Sequence, residues 1–428
     1  MHERKLAPMR LLVILGLFAA VSASTATITS VSSSQIHVQA AVNSAVTGDV
    51  VAVPAGISVW TSNVSIPNGK RITLMGAGIG ATVIRRTSFG VVIHMNASGS
   101  RITGFELEEG QILVYGAGWR IDHCKISTAA FQDGINALPS YVVGSLHPTG
   151  VIDHCEMVRC RILVDGGWYD NMSWGNARWY EALDLGTDYF VFIEDNVHNL
   201  GGVANAVDSN LGGRFVFRHN IVNDGWIEAH SIQGTHRATR CWEIYSNTIN
   251  RISATTWFPP FRIRGGTGVI YDNTITGNWD AYGGYNIMLD NIRSCNSKGD
   301  GGIADGTSPW DGNTLPTATY QGWPARDQIG RSTDQWLWTD ANPYPKQALD
   351  PAYFWNNKKG ATEYGVVLYG DCGRQAIHIV KNRDYYEGTP KPGYTPYTYP
   401  HPLIQEWDNN GGGGLPAPAA PSGLRIQN

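Results

Sequence analysis

Along most of the chain, apolar and polar residues alternate in short runs broken by Gly, Asn and Asp, the pattern of short half-buried strands. One stretch differs. After Ser34, the residues Ile36, Val38, Ala41, Val42 and Ala45 recur at helical spacing, which predicts a helix capped by Ser34. It leads into a β run and turn over residues 48–56. A six-residue phrase then returns at Ile121–Ile126, Ile152–Met157, Ile193–His198, Phe217–Val222, Ile244–Ile249 and Ile270–Ile275. Its fourth position reads Cys124, Cys155, Asn196, Asn220, Asn247 and Asn273, and the last four are 24, 27 and 26 residues apart.

A period in the twenties is that of a solenoid rung made of three short strands and three turns. Asn at one fixed turn lets side-chain amides hydrogen-bond from rung to rung. Cys124 and Cys155 take the same slot, either as a disulfide or as two stacked, reduced thiols. Cys295 and Cys372 form the preferred disulfide pair elsewhere. The Ser34 helix fits as a plug, because an end rung otherwise exposes apolar core and open strand edges. The expected fold class is therefore all-β: a parallel β-helix with an N-terminal capping helix and an irregular C-terminal cover.

The capping helix, the coil Lys70–Gly78 and the Asn ladder together resemble the pectate-lyase-like superfamily of right-handed β-helix proteins, over roughly residues 34–295. That resemblance implies fold rather than reaction, since the superfamily includes lyases, hydrolases, isomerases and phage tailspikes.

Between the ladder phrases lie further short strands, 163–165, 182–184, 206–208, 228–230, 262–264 and 288–290, each with an apolar middle residue: Val164, Leu183, Val207, Ala229, Ile263 and Leu289. Alternation turns those inward and their neighbours outward. The expectation is one exposed column, Asp165, Asp184, Asp208, His230, Arg264 and Asp290, with Glu228 and Arg262 two residues back. Stacked like charges shift one another's pKa values and persist where a metal, a shared proton or a substrate uses them.

The order Asp184, Asp208, Ala229-His230-Ser231, Arg262-Ile263-Arg264 is similar to that of the polygalacturonases, glycoside hydrolase family 28. It departs from that family in lacking the doubled Asp and both Gly around the His. The resemblance implies Asp208 as general acid, with Asp184 and Asp165 holding water and His230 tuning the acid. Arg262 and Arg264 would grip a substrate carboxylate. Two alternatives stand beside hydrolysis. One is β-elimination on a uronate, with Ca²⁺ held by Asp165, Asp184 and Asp208 and with Arg264 or His230 as base. The other is a glycan-binding, adhesive β-helix without catalysis. Hydrolysis needs no cofactor; the lyase reading allows calcium.

Aromatic residues crowd the intervening loops, and Trp226 and Trp257, entering the His230 and Arg264 strands, are the expected sugar platforms. Composition narrows the partners. Fifty Gly and only 16% charged residues fit one repetitive β body. Residues 1–26 read as a signal peptide: Arg4, Lys5 and Arg10 precede an apolar run too short to span a bilayer. Removing those three cations with Glu3 takes the formal charge from −4 to −6, a poor match to nucleic acid. The organisation expected is a signal peptide at 1–26, the β-helix at 27–295, an aromatic and Gly-rich extension at 296–410 packed on it, and a disordered tail at 411–428. The expected protein is a secreted, extracellular or periplasmic monomer with no membrane insertion, acting on an acidic, uronic-acid-containing polysaccharide.

Overall fold

A computed structural model describes residues 25–139, 147–167, 182–231, 238–252, 258–279, 287–290, 327–333, 347–369 and 379–409. The chain winds into a right-handed parallel β-helix. Its first sheet stacks twelve strands from Thr27–Thr29 to Tyr385–Glu387, all parallel. The second and third sheets lie beside each other. In early rungs a single long strand with a bulge serves both, as in Lys125–Leu138 and Glu156–Asp165. In later rungs it divides into two short strands, Val197–Asn199 with Asn205–Asn210, then Ile221–Asn223 with Trp226–Ala229.

The repeated phrase explains this winding residue by residue. Its first position places Ile121, Ile152, Ile193, Phe217, Ile244 and Ile270 in one inward column of the first sheet, in register and fully buried. Its sixth position does the same in the second sheet with Ile126, Met157, His198, Val222, Ile249 and Ile275. The third position turns the corner: His123, His154, Asp195, His219, Ser246 and Asp272 all have φ between 49° and 57°, the left-handed region that short polar residues tolerate best.

At the fourth position the amide ladder forms. Asn196 Nδ2 donates to Asn220 Oδ1 at 3.0 Å, Asn220 to Asn247 at 3.1 Å and Asn247 to Asn273 at 2.9 Å. Each amide also donates to a main-chain carbonyl of the rung below and accepts the backbone N–H below, as Asn220 does for Ile193 and Asn196. Buried bends are thereby satisfied without water. Asn273 donates onward to Asn357 at 2.8 Å. The ladder thus continues past Cys295, after an 84-residue excursion that no periodicity marks. Cys124 and Cys155 occupy the lower slots as buried free thiols, and Cys155 N–H donates to Asn196 Oδ1 at 2.9 Å. Cys295 and Cys372 lie outside the described residues.

The helix Gln35–Ser44 covers the first rung with Val38, Ala41 and Val42 buried. Ile36 instead faces solvent, 71% exposed, and Ser34 caps through its carbonyl rather than its hydroxyl. At the other end, Ala352–Trp355 and Tyr385–Glu387 extend the first sheet, and Val366–Tyr369 extends the third. The chain then returns along the outer face of the first sheet. Arg218 donates to the carbonyls of Tyr397 and Thr398, and Arg120 to that of Ile404, within the helix Pro402–Asn409. Among the described residues no helix is long and apolar enough to cross a membrane.

Replacing Asn220 by Ala strips partners from the Asn196 N–H and amide and from the Ile193 carbonyl. Urea unfolding followed by circular dichroism should show a loss of about 2–4 kcal/mol. The same change at Asn357, on the last slot, should cost less.

Candidate active site

The third sheet carries the charged face, and strand alternation builds it. Cys160, Ile162 and Val164 are fully buried in the core, so Arg161, Leu163 and Asp165 point outward. On later rungs Val207, Ala229, Ile263 and Leu289 turn inward as expected, leaving Asp208, Glu228 with His230, Arg262 with Arg264, and Asp290 outside.

Two expectations about this face need correction. Asp184 is not on it. The strand ending at Asp165 pairs directly with Asn205–Asn210, and the described residues between Asp165 and Val191 contribute no strand to this sheet. Leu183 and Leu185 pack on the outer face of the first sheet, and Asp184, half-exposed, lies 3.9 Å from Arg214 there. Spacing misled here because a segment of that length passes for a rung.

The second correction is of register. Leu163 pairs with Asp208, and a bulge after Asn205 pairs Val207 with Ile227. Asp208 therefore sits beside Glu228 and Arg262. Asp165 shares its column with Asn210, His230, Arg264 and Asp290 instead. The polygalacturonase-like order of residues is thus not assembled as a site.

What assembles is a buried network of ion pairs. Arg161 reaches Asp133 on the rung below at 2.5 Å and Asp208 on the rung above at 2.8 Å. Glu228 is met by Arg264 at 2.5 Å and Arg262 at 3.4 Å, and Arg262 also reaches Asp290 at 3.0 Å. Asn205 and the Trp226 indole N–H both donate to Glu228. Arg161 and Asp133 belong to the site although the spacing pattern passed them over. The signal available was alternation, since Arg161 sits four residues before Asp165 on the same face.

Five carboxyl groups thus share this face with three guanidinium groups, and the protonation states follow. Burial pushes the Glu228 carboxyl up, but the nearby Arg264 and Arg262 outweigh it and leave Glu228 depressed to about 2. Asp165 is pushed up to about 7 by burial and by Asp208, and one of its oxygens meets no hydrogen-bond partner among the described residues. Asp208 is also pushed up to about 7, by burial and then by Glu228, against the pull of Arg161. His230 is held down to about 3 by burial and then Arg264. Its Nδ1 lies 2.8 Å from the Ser231 carbonyl, which only accepts, so Nδ1 carries the proton and Nε2 keeps its lone pair. His230 is thus uncharged at neutral pH and does not tune a neighbour by charge.

Trp226 is not an exposed platform. It is buried, bonded to Glu228, and edge-on to Phe258, whose ring carries the Arg262 guanidinium 3.8 Å above its centre. Phe131, partly exposed beside Arg161, offers an aromatic surface among the described residues. Trp257 lies outside the described residues. With Asp184 on another sheet, the calcium set Asp165, Asp184 and Asp208 is not brought together, and among the described residues no cluster of three His, Cys, Asp or Glu could hold a metal.

No family model and no curated protein matches the chain. Among solved structures, an alginate lyase from Paenibacillus sp. str. FPU-7 is 13% identical with a TM-score of 0.44, covering 87% of this chain and 98% of its own. The catalytic unit of a thermostable GH87 α-1,3-glucanase from Streptomyces thermodiastaticus strain HF3-3 is 14% identical with a TM-score of 0.41, covering 88% and 70%.

The raised carboxyls make a stability prediction with a definite sign. Folded Asp165 and Asp208 keep their protons up to about pH 7, whereas unfolded Asp releases them near 3.8. Between those values the folded state binds more protons, so stability falls as pH rises from 4 to 7. Denaturant titrations at several pH values should show that fall. Asp165→Asn should flatten it and gain on the order of 2–4 kcal/mol at pH 8.

Proposed function

We propose that this chain is a secreted enzyme that degrades polysaccharide by glycosidic hydrolysis on the outer face of the third sheet. The carrying observation is the pair Asp165 and Asp208, on adjacent rungs, both pushed up to about 7. Two carboxyls with such values are each partly protonated near neutral pH, so an acid and a carboxylate can stand on the face together, as hydrolysis requires. They sit diagonally across paired strands, two residues apart in register. Strand spacing and rise then put their Cα atoms about 8 Å apart, room for a water as in an inverting enzyme.

The contacts support a division of roles. Asp208 is held by Arg161 and accepts the Ser209 backbone N–H, both of which favour its ionised form. Among the described residues no cation is bonded to Asp165, which supports its retaining the proton. The assignment is therefore the reverse of the one expected from sequence: Asp165 protonates the departing glycosidic oxygen as its bond to C1 breaks. Asp208 takes a proton from the water whose oxygen bonds C1. Proton exchange with solvent then resets both.

An acidic polymer fits the outermost atoms of the face. The side chains of Arg161 and Arg262 keep 20% and 14% of their surface, whereas those of Asp208 and Glu228 keep 2% and 5%. A ligand meets guanidinium edges first, with carboxylates beneath. One observation favours β-elimination as the second reading: the free Nε2 of His230 stands beside Arg264 as a base.

Incubation with a panel of uronic-acid and neutral polymers, with and without a chelator, separates the readings. New reducing ends without an ultraviolet-absorbing unsaturated uronide are expected; absorbing products would sink hydrolysis in favour of elimination. Asp165→Asn and Asp208→Asn should each lower kcat about 10²–10⁴-fold. Asp165→Asn should be rescued by an aryl glycoside, whose leaving group needs no proton, and should lose the alkaline limb of the pH profile; Asp208→Asn should show no rescue.

A further inference from the structure

Buried polar atoms without a hydrogen-bond partner are costly, each worth about 1–3 kcal/mol, and native folds leave few of them. Among the described residues such atoms occur at several places in the fold, and six of them lie on the outward face of the third sheet: His94 Nε2, Asn136 Oδ1, Asp165 Oδ1, Asn205 Oδ1, Arg262 Nε and Arg264 Nε. Asp165, Asn205, Arg262 and Arg264 border the carboxyl pair. His94 and Asn136 do not; they lie on earlier rungs, towards the N-terminal end.

Register ties them to the site. His94 pairs with Leu113, Leu113 with Asn136, Asn136 with Leu163 and Leu163 with Asp208. This is one unbroken column, each member between inward neighbours that are fully buried: Ile93 and Met95, Ile112 and Val114, Ile135 and Ala137. Along it, hydrogen-bonding and apolar side chains alternate as His, Leu, Asn, Leu, Asp. Polar groups therefore recur every second rung, about 10 Å apart. The His94 ring leans on Tyr115 at 5.2 Å between centroids, which fixes its orientation. Its imidazole is kept neutral by burial, and no cation or carboxylate lies on the column between it and Asp208.

We infer that His94 and Asn136 form neutral sugar subsites of the same cleft, for an extended ribbon-shaped glycan lying along the stack with its reacting bond at Asp165 and Asp208. In such a ribbon successive sugars present opposite edges. Every second residue then offers hydroxyls to His94 Nε2 and Asn136 Oδ1, while the sugars between lay C–H faces on Leu113 and Leu163. The cleft is thereby asymmetric, with uncharged recognition on the N-terminal side of the carboxyl pair and guanidinium recognition on the other. The inference rests on the hydrolase reading for its reacting bond, but its binding claim stands apart from it.

The test is calorimetric binding to the Asp165→Asn protein, with mannuronate hexasaccharide and cellohexaose as probes and their disaccharides as short controls. His94→Leu and Asn136→Leu, which match the neighbouring leucines, are added singly, and thermal melts confirm that each folds. Each should weaken hexasaccharide binding roughly tenfold, with a smaller loss for the disaccharide. Unchanged hexasaccharide affinity in both variants overturns the inference and leaves these atoms to solvent, as does equal loss with both lengths or failure of either hexasaccharide to bind the parent. Length-dependent loss with no polymer ever cleaved keeps the subsites and removes hydrolysis. With Asp165 restored, cleavage with an unaltered KM for the hexasaccharide in both variants does the opposite.

Discussion

Everything in this protein follows from stacking one rung in register on the next, and the amide ladder at a single turn enforces that register. Asn196, Asn220, Asn247 and Asn273 each bind the rung above and the rung below, and Asn357 ends the ladder on Asn273, in a place no water needs to reach. A left-handed residue before each amide turns the chain into it. Once the turn is locked, equivalent positions pile into columns about 4.8 Å apart. Apolar columns make a continuous core. Polar columns make a problem, because like groups are brought close whether or not they suit each other.

The two outward faces resolve that problem differently. On the first sheet the charges are matched and capped. Arg101 clasps Asp122 with two bonds of 2.6 Å, Arg120 clasps Asp153, and Arg218 clasps Glu194 at 2.6 Å. The returning C-terminal segment then covers them, with the His401 N–H bonded to Glu194 and the Tyr394 hydroxyl to Glu243. Glu243 is raised to about 7 by burial, yet it has donors from Tyr394 and the Gly186 N–H. A raised carboxyl alone is therefore no sign of a site in this fold.

On the third sheet the matching is incomplete. Among the described residues carboxyls outnumber guanidiniums, no cation is bonded to Asp165, and polar atoms stay buried without partners. The incompleteness runs from His94 to Arg264 on one face. The same low dielectric that makes the unpaired groups costly lifts Asp165 and Asp208 into the range where a proton can be exchanged near neutral pH.

The sequence by itself determined the solenoid, the ladder, the direction of most strand side chains and the sheet that carries the charge. These are local properties: alternation sets the face, and a short phrase sets the turn. It also placed Asp165, Asp208, Glu228, His230, Arg262, Arg264 and Asp290 on one surface. It did not determine which of them are neighbours. The segment after Asp165 carries Asp184 over the outer face of the first sheet, and the register of Asn205–Asn210 on Trp226–Ala229 sets Asp208 beside Glu228 rather than His230. Strand pairing across insertions of unmarked length decides such contacts, and only the tertiary structure fixes it. The protonation states were decided there too, because burial is the first cause of the shift at Asp165, Asp208 and His230 alike.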